Sequence, residues 1–514
     1  MKIVFTSLNL GQILLPIFLF IFGSTDLSGQ SFFKKTQKTA GAGFMASSSG
    51  QNPFWLRTNQ YGTVPVNSNL FYVSGSIYQE YDSTYNLSKK LNKFNFGYGL
   101  QPILNIGKAT QLVLPDAYFK VRYGIFEGYV GNRREISGLV DSTLSSGAYA
   151  ISNNALPFPK IQIAIPNYWR IAKKLPLSIK GDFSIGHLGA QYYVKNQLFH
   201  KKTFYARIGN DDWPIQLFGG FNHQFQFGGK LNNLTELKSI AGNNFPNSFR
   251  DFLYAVTGIS LNKGSNQTFI DPEDYTSYDL TNRVGNHFGS IDIATSIQTK
   301  AGSLFIYRQS VYDDGGLFYL NNISDGLNGV SFTFKKPLSS TINLKKINVE
   351  YFNSSSQGGP IPPGKEQNPQ TRGADNYFNH GQFIDGWAYN EFTLGSPYIT
   401  PHGNTRPELP KYVISNGRSG DLLYFTNNNR VKAINLGIML SVHNTEVSIR
   451  NSFSQNFGTY RYPFAAAVNQ TSTAIMTNTY LPKYHKRLMI NVGWDNNGIY
   501  KKSFGTNIGI SHKM

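Results

Sequence analysis

Cysteine is absent from the 514 residues. That excludes disulfides, thiolate metal sites, a cysteine nucleophile and a lipidated amino-terminal cysteine. Long apolar runs are scarce too. The one clear run, Ile13 to Phe22, lies behind Lys2, contains Pro16, and gives way to small and polar residues from Gly23 to Gly29. This layout predicts a signal peptide over residues 1–29, removed on export. No later stretch approaches the ~20 apolar residues that a membrane helix requires, so any span must be built from strands. Acidic residues are few: 29 Asp and Glu against 48 Lys and Arg give a net charge of +19. The basic residues are dispersed and the chain reads as exported, so nucleic acid is a poor partner. An acidic polysaccharide or anionic lipid headgroups suit that surface better.

What the chain has in quantity is Gly (50), Phe (39) and Tyr (31), at a mean hydropathy of −0.30. A transmembrane barrel averages to such values because lipid-facing and lumen-facing residues alternate. Residues 434–453, INLGIMLSVHNTEVSIRNSF, display that alternation. Ile434, Leu436, Ile438, Leu440 and Val442 form one comb, and after a polar turn it resumes at Val447 and Ile449. The other face carries Asn435, Gly437, Ser448, Arg450 and Ser452. Period two on both sides of a turn predicts an antiparallel hairpin.

About seventeen such combs recur between residues 70 and 512. Their opposite faces are too polar for the middle of a sandwich and suit a wet lumen. Tight links at 124–125, 210–214, 299–302, 336–345 and 443–446 alternate with long ones at 132–159, 187–202, 228–286, 313–329 and 354–429. Outer-membrane barrels sort short periplasmic turns from long outer loops in this way, and they close with an even strand number. An eighteenth strand is therefore expected near Lys38–Ser47. The sequence predicts an all-β, antiparallel transmembrane barrel of about 18 strands, with long plugging outer loops and few short helices. The layout expected is a signal peptide (1–29), an N-terminal periplasmic segment (30–69) and the barrel (70–514). Asn247-Ser248 ahead of Phe249, Phe252, Leu253 and Val256 predicts a short helix. The 354–429 connection holds 8 of the 23 prolines and reads as a plug-like lid.

Six blocks carry a resemblance: NPFWLRTNQYGTVP (52–65), YVGNRREISGLVDSTLSSGAYAISNNALPFPKIQIAIP (129–166), FGGFNHQFQFGG (218–229), YRQSVYDDGGLFYLNNISDGLNGVSF (307–332), DNYFNHGQFIDGWAYNEFTLGSPYIT (375–400) and NGRSGDLLYFTNNNRVKAINLGI (416–438). Together they resemble the Wzi-type capsule assembly family of outer-membrane proteins, in particular its Bacteroidetes branch. The resemblance implies an eighteen-stranded barrel in the bacterial outer membrane. Such a barrel binds capsular polysaccharide, helps attach or organise the capsule beside the export machinery, and has no enzymatic activity. Two features depart from the family: residues 30–70 lack the periodicity of a periplasmic helical bundle, and the chain ends Ser511-His512-Lys513-Met514 rather than in an aromatic.

For catalysis the sequence offers little. The nine histidines show no metal-ligand spacing, no GxSxG element occurs, and Asp211-Asp212 and Asp313-Asp314 abut expected turns, where Asp is a routine cap. No metal or other cofactor is expected. His223 is expected as a polar lumen residue near an outer strand end. Sugar binding asks for flat aromatics beside Asn, Asp, Gln and Arg, with arginine forking onto the carboxylates of acidic sugars. The candidate set is Trp387, Tyr389, Asn376, Tyr377, His380, Arg418 and Asp421 in the long loop, with Arg133, Arg134, His223 and Arg308 near outer strand ends. Internal pairing competes for the arginines, and packing of the plug competes for the aromatics. Trp55, Arg57, Asn59, Gln60 and Tyr61 are expected to seat the N-terminal segment under the barrel. The competing readings are a solute channel or a lipid-hydrolase barrel.

Overall fold

The computed structural model describes residues 36–81, 94–108, 110–231, 244–261, 274–281, 283–313, 317, 319–337, 339, 341–362, 373–414 and 422–514. The expected signal peptide lies outside them. Eighteen strands form one closed antiparallel sheet. They are β1 (Gln37–Ser47), β2 (Leu70–Gln79), β3 (Asn95–Ile106), β4 (Gln111–Tyr123), β5 (Phe126–Asn132), β6 (Lys160–Arg170), β7 (Leu177–His187), β8 (Leu198–Ile208) and β9 (Ile215–Phe227). The second half comprises β10 (Asn286–Gln298), β11 (Gly302–Asp313), β12 (Gly326–Phe334), β13 (Ile342–Asn353), β14 (Val431–Val442), β15 (Thr445–Gly458), β16 (Pro463–Leu481), β17 (Lys486–Asp495) and β18 (Ser503–Lys513). Each strand pairs with its sequence neighbours, and β1 closes on β18 with Thr39 opposite Lys513 and Ser47 opposite Gly505.

The expected eighteenth strand is β1, which parity alone demanded. It changes the layout drawn from sequence: the barrel wall includes Gln37–Ser47, so residues 37–69 are not a separate periplasmic segment. Both ends of the barrel wall, Gln37 and Lys513, lie at one end, together with the two-residue turns 124–125 and 443–444. This short-turn end also carries the 80–94 connection. The opposite end carries 133–159, 228–285 and 354–430, although three of its connections (107–110, 459–462 and 496–502) are short.

The apolar combs point outward. On β14 and β15, Ile434 is 53% and Phe453 43% exposed, whereas Asn435, Ser452 and Ser454 are buried inside. An exposed aliphatic and aromatic belt around a polar interior is the arrangement that hydrocarbon solvent selects. A ring of 18 strands encloses a lumen wider than its own side chains can fill, and here the loops fill much of it. Loop 133–159 descends far enough that Leu144 packs on Gly437 of β14, where an added Cβ would lie 2.8 Å from the leucine Cβ. Segment 48–69 enters the same space through helix α1 (Phe54–Arg57), all four residues of which are buried. With 354–430 these segments make one aromatic core, in which Phe54, Trp55, Tyr149, Phe288, Phe352, Tyr377, Trp387 and Tyr398 pack together.

Wall carboxylates hold the plug by its backbone. Glu350 accepts from Ser146 N at 2.6 Å and Ser145 Oγ at 2.6 Å. Asp292 accepts from Leu139 N at 3.0 Å, and Gln309 Oε1 from Tyr149 N at 2.8 Å. Arg450 donates to the carbonyls of Thr143 and Ser145, and Lys346 pairs with Asp141 at 2.9 Å. Outside the wall, helix α2 (Phe249–Thr257) forms where expected, with Ser248 and Asp251 making a reciprocal capping box. A third helix, α3 (Ser277–Thr281), lies in the same long loop.

Candidate carbohydrate-binding surface

The long-loop candidates divide between packing and outer surface. Trp387 is 1% exposed, donates Nε1–H to the Ala150 carbonyl at 2.7 Å, and packs among Phe199 and Phe288. Tyr377 is fully buried, donating to Asp325 at 3.1 Å and accepting from Asn322 at 3.1 Å. Neither ring presents a free face, so both serve the plug. Asn376 accepts from Asn379 and Asn429, tying turns of the plug to each other. The Nδ1 of His380 accepts from the amides of Gln382 and Phe383, and burial, with the charge of His287, pushes its pKa down to about 3. Tyr389 is half-buried and meets Phe158 edge-on at 5.8 Å. Arg418 and Asp421 fall outside the described residues.

The arginines after β5 are internally paired. Arg133 bridges Glu127 at 2.7 Å and Glu135 at 2.9 Å and lies over the Tyr129 ring at 4.1 Å. Arg134 pairs with Asp116 at 2.7 Å and reaches Gln101 and Tyr78. Burial would raise the pKa of Glu135, but Lys160, Lys201 and Arg133 together hold its carboxyl far below the usual range.

Two expectations are overturned by which face a strand residue takes. His223 points out of the barrel, not into the lumen, because Asn222, Gln224 and Gln226 take the inward positions of β9. Its Nε2 meets His287 Nδ1 at 2.9 Å. Arg308 is likewise on the outer wall, bonded to Ser310, Asn328 and the Ile323 carbonyl rather than to a lumenal carboxylate. The segment expected under the barrel sits instead within the long-loop half of the lumen. Trp55 donates to Ser452 Oγ at 2.9 Å, Asp495 accepts from Phe54 N at 2.9 Å, and Asn59 donates to the Ser146 carbonyl at 2.7 Å. Apolar Phe54, Trp55 and Leu56 gain burial there that a periplasmic position would deny them.

Aromatic and cationic chemistry does reach the surface, at residues that loop length alone did not single out. Tyr412, itself buried, packs at a tilt against Tyr424 at 4.4 Å between centroids and against Tyr462 at 4.8 Å. Tyr424 and Tyr462 are half-buried, and Arg461, which hydrogen-bonds Tyr412, is exposed. Burial, with Tyr424 beside it, pushes the Tyr412 hydroxyl up to about 12. Arg430 lies 3.9 Å over the Tyr460 ring. The Arg406 amide bonds to the Ile499 carbonyl, which joins this patch to turn 496–502 and its exposed Lys501 and Lys502. The ladder of Val413–Ile414 with Leu422–Leu423 lies between Tyr412 and Tyr424 and frames the connection that carries Arg418 and Asp421. A sequence signal existed: Tyr460-Arg461-Tyr462 occupies an outer turn too short to bury it. Among the described residues, no group of three His, Asp or Glu could hold a metal ion.

No family model matches the sequence, and no curated protein does. Among solved structures the fold is similar to Escherichia coli Wzi, described as an outer-membrane protein involved in group 1 capsule assembly and a carbohydrate-binding β-barrel. The TM-score is 0.56 at 12% identity, over 94% of this chain and 86% of that one. Pseudomonas aeruginosa OprD gives 0.43 at 8% identity over 93% and 94%, and Acinetobacter baumannii OccAB2 gives 0.43 at 9% over 94% and 99%. The likeness to Wzi establishes a barrel of the outer-membrane kind.

Proposed function

We propose that this chain is a Wzi-type outer-membrane protein that binds capsular or related surface polysaccharide at its long-loop end. In this reading it aids capsule assembly or attachment and catalyses no reaction. Short turns of such barrels face the periplasm and long loops the exterior, so the rim patch looks away from the cell. The observation that carries the reading is the pair of half-buried rings Tyr424 and Tyr462 held against buried Tyr412, with exposed Arg461 at their edge. Flat rings suit the apolar faces of sugars, and a guanidinium forks onto a carboxylate. Lys501, Lys502 and the net charge of +19 favour an acidic polymer. Arg418 and Asp421 are proposed as ligand residues on their chemistry alone. Likeness to a carbohydrate-binding barrel and the six resembling sequence blocks support this assignment. The plugged half-lumen weighs against an open solute channel, and His223, partnered by His287 rather than by a hydroxyl, gives a lipid hydrolase no support.

The test is retention of native capsular polysaccharide by detergent-solubilised protein. Tyr424→Ala and Arg461→Ala should each weaken binding about tenfold, equivalent to ~1.4 kcal/mol, with heat-modifiable gel mobility unchanged. Normal capsule retention in a deletion strain would refute the proposal. Steady single-channel conductance without polysaccharide binding would replace it with the channel.

A further inference from the structure

Beneath the plug, the β2–β8 side of the lumen is not filled. A cavity of ≈510 Å³ lies between the underside of loop 133–159 (Ile136, Ser137 and Gly138) and the inward faces of these strands. That volume is in the range of small-molecule sites, roughly 300–1,000 Å³. Its deep residues are enclosed: Lys201 and Glu135 side chains are 5% and 17% exposed. Glu80, below the short-turn end of β2, is 61% exposed. The cavity therefore opens toward the short-turn end.

Its carboxylates already have partners. Glu80 pairs with Lys120, Asp116 with Arg134, and Asp182 with Lys201 at 3.2 Å. Glu135 pairs with Lys160 at 2.6 Å and with Arg133. Lys180, the fourth residue of β7, is left over. Among the described residues it has no carboxylate within ion-pair contact: its ammonium lies over the rings of Tyr168 at 4.9 Å and Tyr205 at 5.4 Å, and Asp182 and Asp292 attract it only from beyond contact distance. An enclosed ammonium with no carboxylate in contact is costly, and an anion entering the cavity would lower that cost. Among the described residues Gln162 Oε1 in the wall and the Tyr168 hydroxyl beside Lys180 lack a hydrogen-bond partner, and Asp182 Oδ1 meets only the Lys201 ammonium. A sugar hydroxyl can donate to the unmatched Gln162 acceptor.

We infer that this cavity is a second saccharide site, entered from the short-turn end, that takes an acidic sugar unit with its carboxylate on Lys180. The inference deepens the polysaccharide reading and rests on it for the ligand class. In an outer membrane the site would meet the polymer on its periplasmic side, before the rim does.

Titration calorimetry of the full-length mature protein in detergent tests it, with trigalacturonate as probe and maltotriose and inorganic phosphate as controls. Trigalacturonate should bind saturably and lose about tenfold in Lys180→Gln, with Lys180→Arg restoring most of the affinity. Tyr424→Ala should leave this binding unchanged, which separates the cavity from the rim. The inference fails if trigalacturonate does not bind up to millimolar concentration, if maltotriose or phosphate binds as tightly, or if Lys180→Gln has no effect. If Tyr424→Ala rather than Lys180→Gln abolishes the signal, the cavity proposal falls and the rim reading stands.

Discussion

Glu350 offers the most direct way to loosen the plug without touching the outer surface. It is 1% exposed on the lumen face of β13 and accepts from four donors. These are Ser146 N, Ser145 Oγ and Tyr307 Oη, each at 2.6 Å, and Asn435 Nδ2 at 3.1 Å. The substitution Glu350→Gln keeps the volume but exchanges one acceptor oxygen for an NH2, so about two donors lose their partner. Bonds to a charged group contribute ~1.5–3 kcal/mol each. Partial re-pairing and water entry reduce the loss to about 2–4 kcal/mol. Loop 133–159 should then open roughly 30- to several-hundred-fold more often. Hydrogen exchange by mass spectrometry can read peptides covering 139–150 against wall peptides from β14 and β15. The expected outcome is lost protection in the loop with intact strands. A change below about threefold would show that the carboxylate does not anchor the plug, and equal loss in every strand would mean the barrel itself had failed.

Asp325 makes the plug sensitive to pH. Burial pushes its carboxyl up to about 6, against the opposing pull of the Ser356 and Gln357 amides and the Tyr377 hydroxyl. A folded pKa above the ordinary ~3.9 means that the protonated form favours the closed state, so the contribution is full below about pH 4 and is lost as pH rises through 6. Opening at 354–357 should become easier by roughly 2–3 kcal/mol between pH 4 and pH 8. Exchange rates corrected for intrinsic pH dependence should show this, and Asp325→Asn should flatten the profile; a flat wild-type profile refutes it. Trp387→Ala should cost about 3–5 kcal/mol through the cavity it leaves, seen as faster proteolysis of 354–430 in a barrel of unchanged gel mobility. Polysaccharide affinity that fell while the plug stayed protected would return Trp387 to the ligand surface.

The barrel was legible because hydrocarbon on one side and polar lumen on the other write a period of two into each strand. Pairs such as Ile434 and Asn435 carry that signal without tertiary context. β1 escaped it: Gln37 to Ser47 is rich in Ala and Gly, with weak contrast between faces, and only the requirement for closure pointed to it. Face assignments failed where the strand's apolar comb gives out near the long-loop end. Phe225 and Phe227 face outward like a lipid comb, yet they are covered by α2, and His223 shares their side. Plug anchors were illegible for a different reason. Glu350 and Asp292 look like ordinary lumen residues until the chain of loop 133–159, about 150 to 200 residues away in sequence, is folded against them.

A wide barrel explains why sequence chemistry and accessible chemistry part company here. Eighteen strands leave a lumen wide enough for loops to pack, and packing here recruits the residues that look most like sugar ligands: large aromatics, and amides that tie the turns together. Trp387, Tyr377 and Asn376 are used in this way, so composition marks the plug rather than the surface. Chemistry remains available where the packing stops. At the rim, turn 459–462 is too short to fold inward, and Arg461 stays exposed. Beneath the plug, loop 133–159 turns toward β13–β15 and leaves Lys180 with no carboxylate in contact. The same filling that rigidifies the centre thus confines the proposed recognition to the two ends of the lumen.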